Sequence, residues 1–174
     1  MRRAEIAAWT PEWGSLYAAA QEELKQLLGK DCIEIHHIGS TSVPAIGYAK
    51  PIIDIVVAVR SIQAVDAFNE RMIEAGFQPR GENGIAGRRY FTKGGERRTH
   101  HIHIFEAGDV NILAHLDFKA YLTAHPDEAR RYGELKLRLA EQYPDHVHRY
   151  QEGKQFFVQQ LAQKAAEWAA RSDR

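Results

Sequence analysis

Cysteine is almost absent: Cys32 is the only one in 174 residues. A lone thiol makes no internal disulfide and no metal site by itself. It is expected to be a small buried apolar side chain in a protein of a reducing compartment. An excess of charge is also lacking. Lys plus Arg is 23 and Asp plus Glu is 23, so the formal net charge is +0. Duplex nucleic-acid binders carry a basic surplus because phosphate neutralisation dominates their affinity, so no duplex partner is expected. A local basic patch for one small phosphorylated ligand is compatible with this balance. No apolar run approaches the roughly 20 residues of a membrane span. The segment from Met1 to Trp9 holds Arg2 and Arg3 but no apolar stretch long enough for a signal peptide. The reading is therefore cytoplasmic, with no membrane partner. No solenoid period, low-complexity stretch or linker divides the chain.

The 44% hydrophobic and 26% charged composition is enough to bury a core. Thr10-Pro11-Glu12 reads as a helix start, with a capping hydroxyl, Pro at the first helical position and an acid in the first turn. Apolar residues then recur at helical spacing from Trp13 to Leu28, and Gly29 ends the helix. A short strand follows near Cys32 to Ile38. Residues 39–50 are loop-like. Ile52 to Val59 is a nearly continuous β-branched run, the pattern of a central strand covered on both faces. Ser61 caps a helix that stops at Gly76, and Gly81 to Gly87 reads as a mobile loop. Arg89 to Lys93 and Arg98 to Phe105 form a hairpin around Gly94-Gly95. From about 111 to 170 the chain is helical, with breaks near His125-Pro126 and Tyr143-Pro144-Asp145. Trp13, Phe118, Tyr121, Phe156, Phe157 and Trp168 fall at spacings that suit core packing. The whole of 1–174 is expected to be one α+β domain.

Three groups of residues carry chemistry. Gly39 follows a strand, where its backbone can approach a ligand closely, and Ser40, Thr41 and Ser42 add hydroxyl donors, which suits a phosphate. After Lys50, Asp54 interrupts the apolar run, where a charge costs several kcal/mol unless compensated. A carboxylate on a central strand soon after a Gly-Ser turn is a natural metal ligand for phosphoryl transfer. The alternative is an Asp satisfied by nearby donors. His101 and His103 are two apart on a strand and so share a face. They can bind metal, donate to phosphate, or serve as acid and base. The third group is basic. Arg88 and Arg89 follow the glycine-rich loop, and Tyr132/Lys136 and Tyr150/Lys154 are i,i+4 pairs on helix faces. Such pairs can clamp a nucleotide, although their commoner use is as a packed edge with the lysine tip in water.

These residues resemble the GrpB family of small bacterial proteins. The resemblance rests on the string from His37 to Pro44, on Lys50-Pro51-Ile52-Ile53-Asp54-Ile55, on Arg88 to Phe91, and on His101 to Ile104. It continues through Phe118 to Leu122, His125-Pro126, Tyr132 with Leu135-Lys136, and Tyr150 with Lys154. It implies a nucleotidyltransferase-like mixed β-sheet packed with helices and followed by a helical C-terminal third. A related domain is fused to dephospho-CoA kinase in some proteins. By the superfamily's pattern Gly39 and Ser40 contact a nucleotide's phosphates and Asp54 holds a divalent cation. Two departures stand out. Val56 occupies the place of the usual second carboxylate, and the strand holding His101 and His103 occupies that of the third. Lys119-Ala120 also stands where the family string implies Arg-Asp.

The expected site therefore combines Asp54, His101 and His103 as catalytic and metal-binding residues. Gly39, Ser40, Thr41, Ser42, Lys50, Arg88, Lys136 and Lys154 are its phosphate-binding residues. A divalent cation (Mg²⁺, Mn²⁺ or Zn²⁺) is the expected cofactor; one Asp with two His suits the softer ions better than Mg²⁺. A small-molecule nucleotide or phosphorylated metabolite is the expected partner. Three functions fit: nucleotidyl or phosphoryl transfer through Asp54, nucleotide binding without turnover, and metal-dependent phosphohydrolysis.

Overall fold

The computed structural model describes residues 5–172, so the Arg2-Arg3 pair lies outside the described residues. In chain order the elements are β1 (Ala7–Ala8), α1 (Glu12–Leu28), β2 (Cys32–Ile38), β3 (Tyr48–Ala49), β4 (Ile53–Val59), α2 (Ile62–Val65) and α3 (Asn69–Glu74). Then follow β5 (Phe77–Pro79), β6 (Arg89–Lys93), β7 (His100–Glu106), α4 (Val110–Ala124), α5 (Pro126–Gln142) and α6 (Val147–Arg171). The backbone divides into two compact units, each built from separated segments. The architecture is mixed α+β with helices dominating the last third.

One unit comprises Pro11–Gly39 and Ile52–Leu113. Its five-stranded sheet runs β2-β4-β7-β6-β5, with β4 and β7 parallel and every other pair antiparallel. β4 earns its central place by composition: every residue from Ile53 to Val59 is buried except Asp54. Leu24 and Leu28 of α1, Met72 of α3 and Phe77, Phe91, Ile102 and Ile104 of the sheet are also buried. Each such side chain contributes about 1.5–3 kcal/mol on burial.

Several local expectations needed correction. Pro11, not Thr10, occupies the N-cap of α1, with no side-chain cap bond, because its fixed φ of −64° already suits the helix. Ser61 does cap α2, accepting from Ala64 N–H at 3.4 Å. The single helix expected after it is broken by a 3-10 turn over Asp66–Phe68. β5 was not foreseen, being three residues long and ending in Pro79 on a sheet edge, where proline is tolerated. Cys32 is half-buried rather than buried.

The other unit comprises the described residues up to Thr10, Ser40–Pro51 and the chain from Ala114 onward. Residues 40–51 are more ordered than a loop. They form 3-10 turns over Ser40–Ser42 and Pro44–Ile46, then β3, which pairs with β1. Trp9 ties to this segment, its backbone N–H donating to Gly47 and its indole N–H to the Thr41 carbonyl at 3.0 Å. The core gathers Val43, Ile46, Tyr121, Leu122, Ala129, Tyr132 and Leu161, with Phe118, Phe157 and Trp168 against it. Phe156 is 69% exposed. Its neighbour Phe157 takes the inward direction by stacking on Tyr132, and adjacent helical residues cannot share a face. No helix of the described residues is long and apolar enough to cross a membrane.

α5 lies directly on the Pro44–Ile46 turn, and Gly133 permits the approach: a Cβ there would run into the Ile46 carbonyl oxygen. A backbone acceptor cannot swing aside as a side chain does. Gly133→Ala is therefore expected to destabilise the protein by about 1–3 kcal/mol, the cost of overpacking. Urea unfolding checks this; an unchanged midpoint would show that the close contact is absent.

Candidate functional site

Strand register assembles the sheet's polar centre. β4 and β7 run in parallel with Asp54 beside His101 and Val56 beside His103. β6 adds Thr92 beside His101 and Tyr90 beside His103. Side chains of paired residues share a face. His103 Nε2 lies 3.3 Å and His101 Nδ1 3.5 Å from the same oxygen, Asp54 Oδ1. Asp54 Oδ2 faces Gly39, where a Cβ would lie 2.8 Å from it. Gly39 has φ +72°, so glycine is favoured there both by its backbone angle and by the space the carboxylate occupies.

The Asp54 side chain keeps 31% of its surface exposed, yet it stands in a strand that is otherwise buried. Burial pushes its carboxyl upward. The hydrogen bonds of His101 and His103 outweigh that effect and hold it well below the ordinary carboxylate range. The Tyr90 ring lies 5.2 Å from that of His103 and 5.7 Å from that of His101.

Arg88 completes this centre. It is 6% exposed. Its Nε donates to the Glu82 carbonyl at 3.1 Å, Nη2 to the Asn83 carbonyl at 2.9 Å, and Nη1 to His103 Nδ1 at 3.2 Å. The guanidinium also lies over the Tyr90 ring at 4.7 Å. A guanidinium has donors and no acceptor. His103 Nδ1 must therefore accept, which leaves the ring proton on Nε2, directed at Asp54. Burial lowers the pKa of Arg88, but arginine starts so high that it stays charged at neutral pH. Arg89, by contrast, is taken by Asp66 at 2.8 Å. The Gly81 to Gly87 segment is fastened at both ends, by Arg88 on its carbonyls and by Gly87 N–H donating to Glu82 at 2.6 Å.

The expected metal set fits poorly. Among the described residues no group of three or more His, Cys, Asp or Glu is placed to hold a metal ion. The donor chemistry gives a reason. To ligate through Nε2, His103 would need its proton on Nδ1, opposite an Arg88 N–H. A metal-bound histidine normally gives that second proton to a carboxylate or carbonyl. Val56, fully buried, supplies no second carboxylate.

The remaining predicted residues belong to the other unit. Thr41 is 3% exposed within the turn over Ser40–Ser42. The Lys136 ammonium donates to the Ser40 hydroxyl and lies 4.2 Å from the Tyr132 ring centre. Lys136 is 3% exposed, so the expectation of a lysine tip in water is overturned for this pair. The 3-10 turn supplies the hydroxyl that draws the ammonium inward. Lys50 and Lys154 approach the Tyr150 ring, at 4.8 and 5.5 Å. Tyr150 is 1% exposed, and burial, aided by Tyr132, raises its phenol pKa. A cleft of about 450 Å³ opens beside Tyr132 and Lys154, lined also by His148, Gln151, Gln155 and Gln159. Tyr90 has no expected role in the sequence beyond its place in the Arg88 to Phe91 string; its position opposite His103 comes from the pairing of β6 with β7.

Residues 3–164 match a family model described as GrpB protein. UPF0157 protein YqkA of Bacillus subtilis is 47% identical over 167 residues, covering 96% of this chain. The chain spans about half of that relative's length, 48%. A crystal structure of conserved protein GrpB from Enterococcus faecalis superposes with a TM-score of 0.91 at 37% identity, covering 96% of this chain and all of that one. The Cid1 poly(U) polymerase, solved with MgGTP bound, has a TM-score of 0.53 at 16% identity, covering 78% of this chain and 43% of its own. That likeness shows a shared nucleotidyltransferase fold.

Asp54 binds fewer protons in the folded than in the unfolded protein near its ordinary pKa of 3.8. Its contribution to stability is complete above that value and is lost as pH falls below it. The margin by which wild type exceeds Asp54→Asn in stability should shrink as pH falls from about 5 toward about 3. Urea midpoints across this range check the trend; a margin unchanged at the acid end would contradict the lowered carboxyl.

Proposed function

The chain belongs to the GrpB family, and on that premise we propose that it binds a nucleotide or another phosphorylated small molecule. One observation carries the reading: the buried Lys136 ammonium donates to Ser40. The Ser40 oxygen accepts from Lys136, and a hydroxyl that accepts one bond can still donate its own proton. A cation and a hydroxyl thus stand together, a pair of donors whose chemistry suits a phosphate oxygen. The Tyr132 ring shares the lysine's charge and holds it in place. Lys50 and Lys154 add positive charge in the same unit, and Ser42 and Thr41 belong to the same turn.

A transfer reaction through Asp54 is the second reading. It is favoured by Asp54, whose Oδ1 lies near both histidines and whose Oδ2 faces the Gly39 turn. In it His101 and His103 are the acid–base partners, and a Mg²⁺, Mn²⁺ or Zn²⁺ ion would supply charge stabilisation for the phosphoryl group. Val56 weighs against it, since two-metal transfer needs several anionic ligands. Binding therefore ranks ahead of transfer, and phosphohydrolysis, which leans on the same metal set, ranks below both.

A thermal-shift panel of nucleotides and sugar phosphates tests the proposal. A true ligand at about 100 times its Kd stabilises by roughly 2.7 kcal/mol. Lys136→Met should weaken that ligand by about 10- to 100-fold, the worth of a hydrogen bond to a charged group. The proposal fails if no phosphorylated compound stabilises the protein, or if Lys136→Met binds as tightly as wild type.

A further inference from the structure

We infer that Arg88 is a built-in cation that stands in for a divalent metal at the Asp54 centre and keeps such a metal out. This goes beyond the phosphate-binding proposal and concerns different residues. The superfamily pattern implies that Asp54 neutralises its charge by holding a cation. Here the carboxylate's charge is met through a chain of hydrogen bonds. Arg88 Nη1 donates to His103 Nδ1 at 3.2 Å, and His103 Nε2 donates to Asp54 Oδ1 at 3.3 Å. Arg88 forms no ion pair with a carboxylate among the described residues: its donors go to two loop carbonyls and this ring. A guanidinium that is 6% exposed without a carboxylate beside it is costly unless its charge is used. Asp54, reached through one imidazole, is the charge it serves.

Three consequences exclude a metal from this donor set. The proton on His103 Nε2 occupies the lone pair a metal would need. Reversing the tautomer sets an N–H of His103 against an N–H of Arg88. A divalent ion on His103 would also lie one imidazole away from a fixed positive charge, in surroundings where screening is weak. The arrangement is anchored, because the same guanidinium holds the Glu82 and Asn83 carbonyls and rests on Tyr90. The chain therefore keeps the metal-binding aspartate of the fold while dispensing with the metal.

The test titrates untagged protein with Co²⁺ alone, read by ligand-field absorption, and with Mn²⁺ alone, read by electron paramagnetic resonance. Wild type and Asp54→Asn should be indistinguishable. Arg88→Gln, whose amide oxygen can accept the reversed His103 proton, should gain at least about tenfold in Co²⁺ affinity, the scale on which outer-shell partners tune metal sites. That gain should vanish in the Arg88→Gln/Asp54→Asn double variant. Metal binding by wild type that disappears in Asp54→Asn overturns the inference. So does a folded Arg88→Gln that gains nothing. If Arg88→Gln does not fold, the comparison of wild type with Asp54→Asn decides alone. Neither result bears on Lys136, so failure here is distinguishable from failure of the phosphate-binding proposal.

Discussion

A carboxylate in the middle of a strand has to be compensated, and the polar centre of the sheet is organised around meeting that need for Asp54. The other six residues of β4 are buried, so an uncompensated charge there would cost several kcal/mol. Parallel pairing with β7 brings His101 alongside and His103 two residues on. Antiparallel pairing with β6 brings Tyr90 beside both rings. Arg88 then fixes the tautomer of His103 and anchors the glycine-rich segment with the same guanidinium. Gly39 leaves room for the second carboxylate oxygen. Each of these features follows from one ionised group kept within a sheet.

The other unit answers a parallel problem with the opposite charge. Lys136 is as buried as many core residues, and its ammonium is held by a hydroxyl and an aromatic face. A lysine drawn inward in this way places its charge beside the hydroxyl turn over Ser40–Ser42. The proposed phosphorylated ligand rests on the chemistry of the Ser40–Lys136 pair.

Much of this was legible in the sequence, for identifiable reasons. β4 announced itself because β-branched residues run on without polar alternation, and the one exception was the residue that matters. The alternation of His101 and His103 with Ile102 and Ile104 placed both rings on one face. What the sequence concealed depends on register and on tertiary partners. Nothing in the spacing says that Asp54 faces His101, or that Arg88 grips two carbonyls and a histidine. The i,i+4 spacing put Tyr132 and Lys136 on one face but was silent on the hydroxyl that draws the lysine in. β5 was too short to register, and the split between Phe156 and Phe157 is a choice that only packing makes.

The most direct test of the central claim is the protonation of His103, read from side-chain ¹⁵N shifts and long-range ¹H–¹⁵N correlations at neutral pH. The account predicts a neutral ring with its proton on Nε2 and a bare Nδ1 facing Arg88. A proton on Nδ1, alone or together with one on Nε2, would contradict it, because Arg88 would then face a donor and the compensation of Asp54 would have to come from elsewhere.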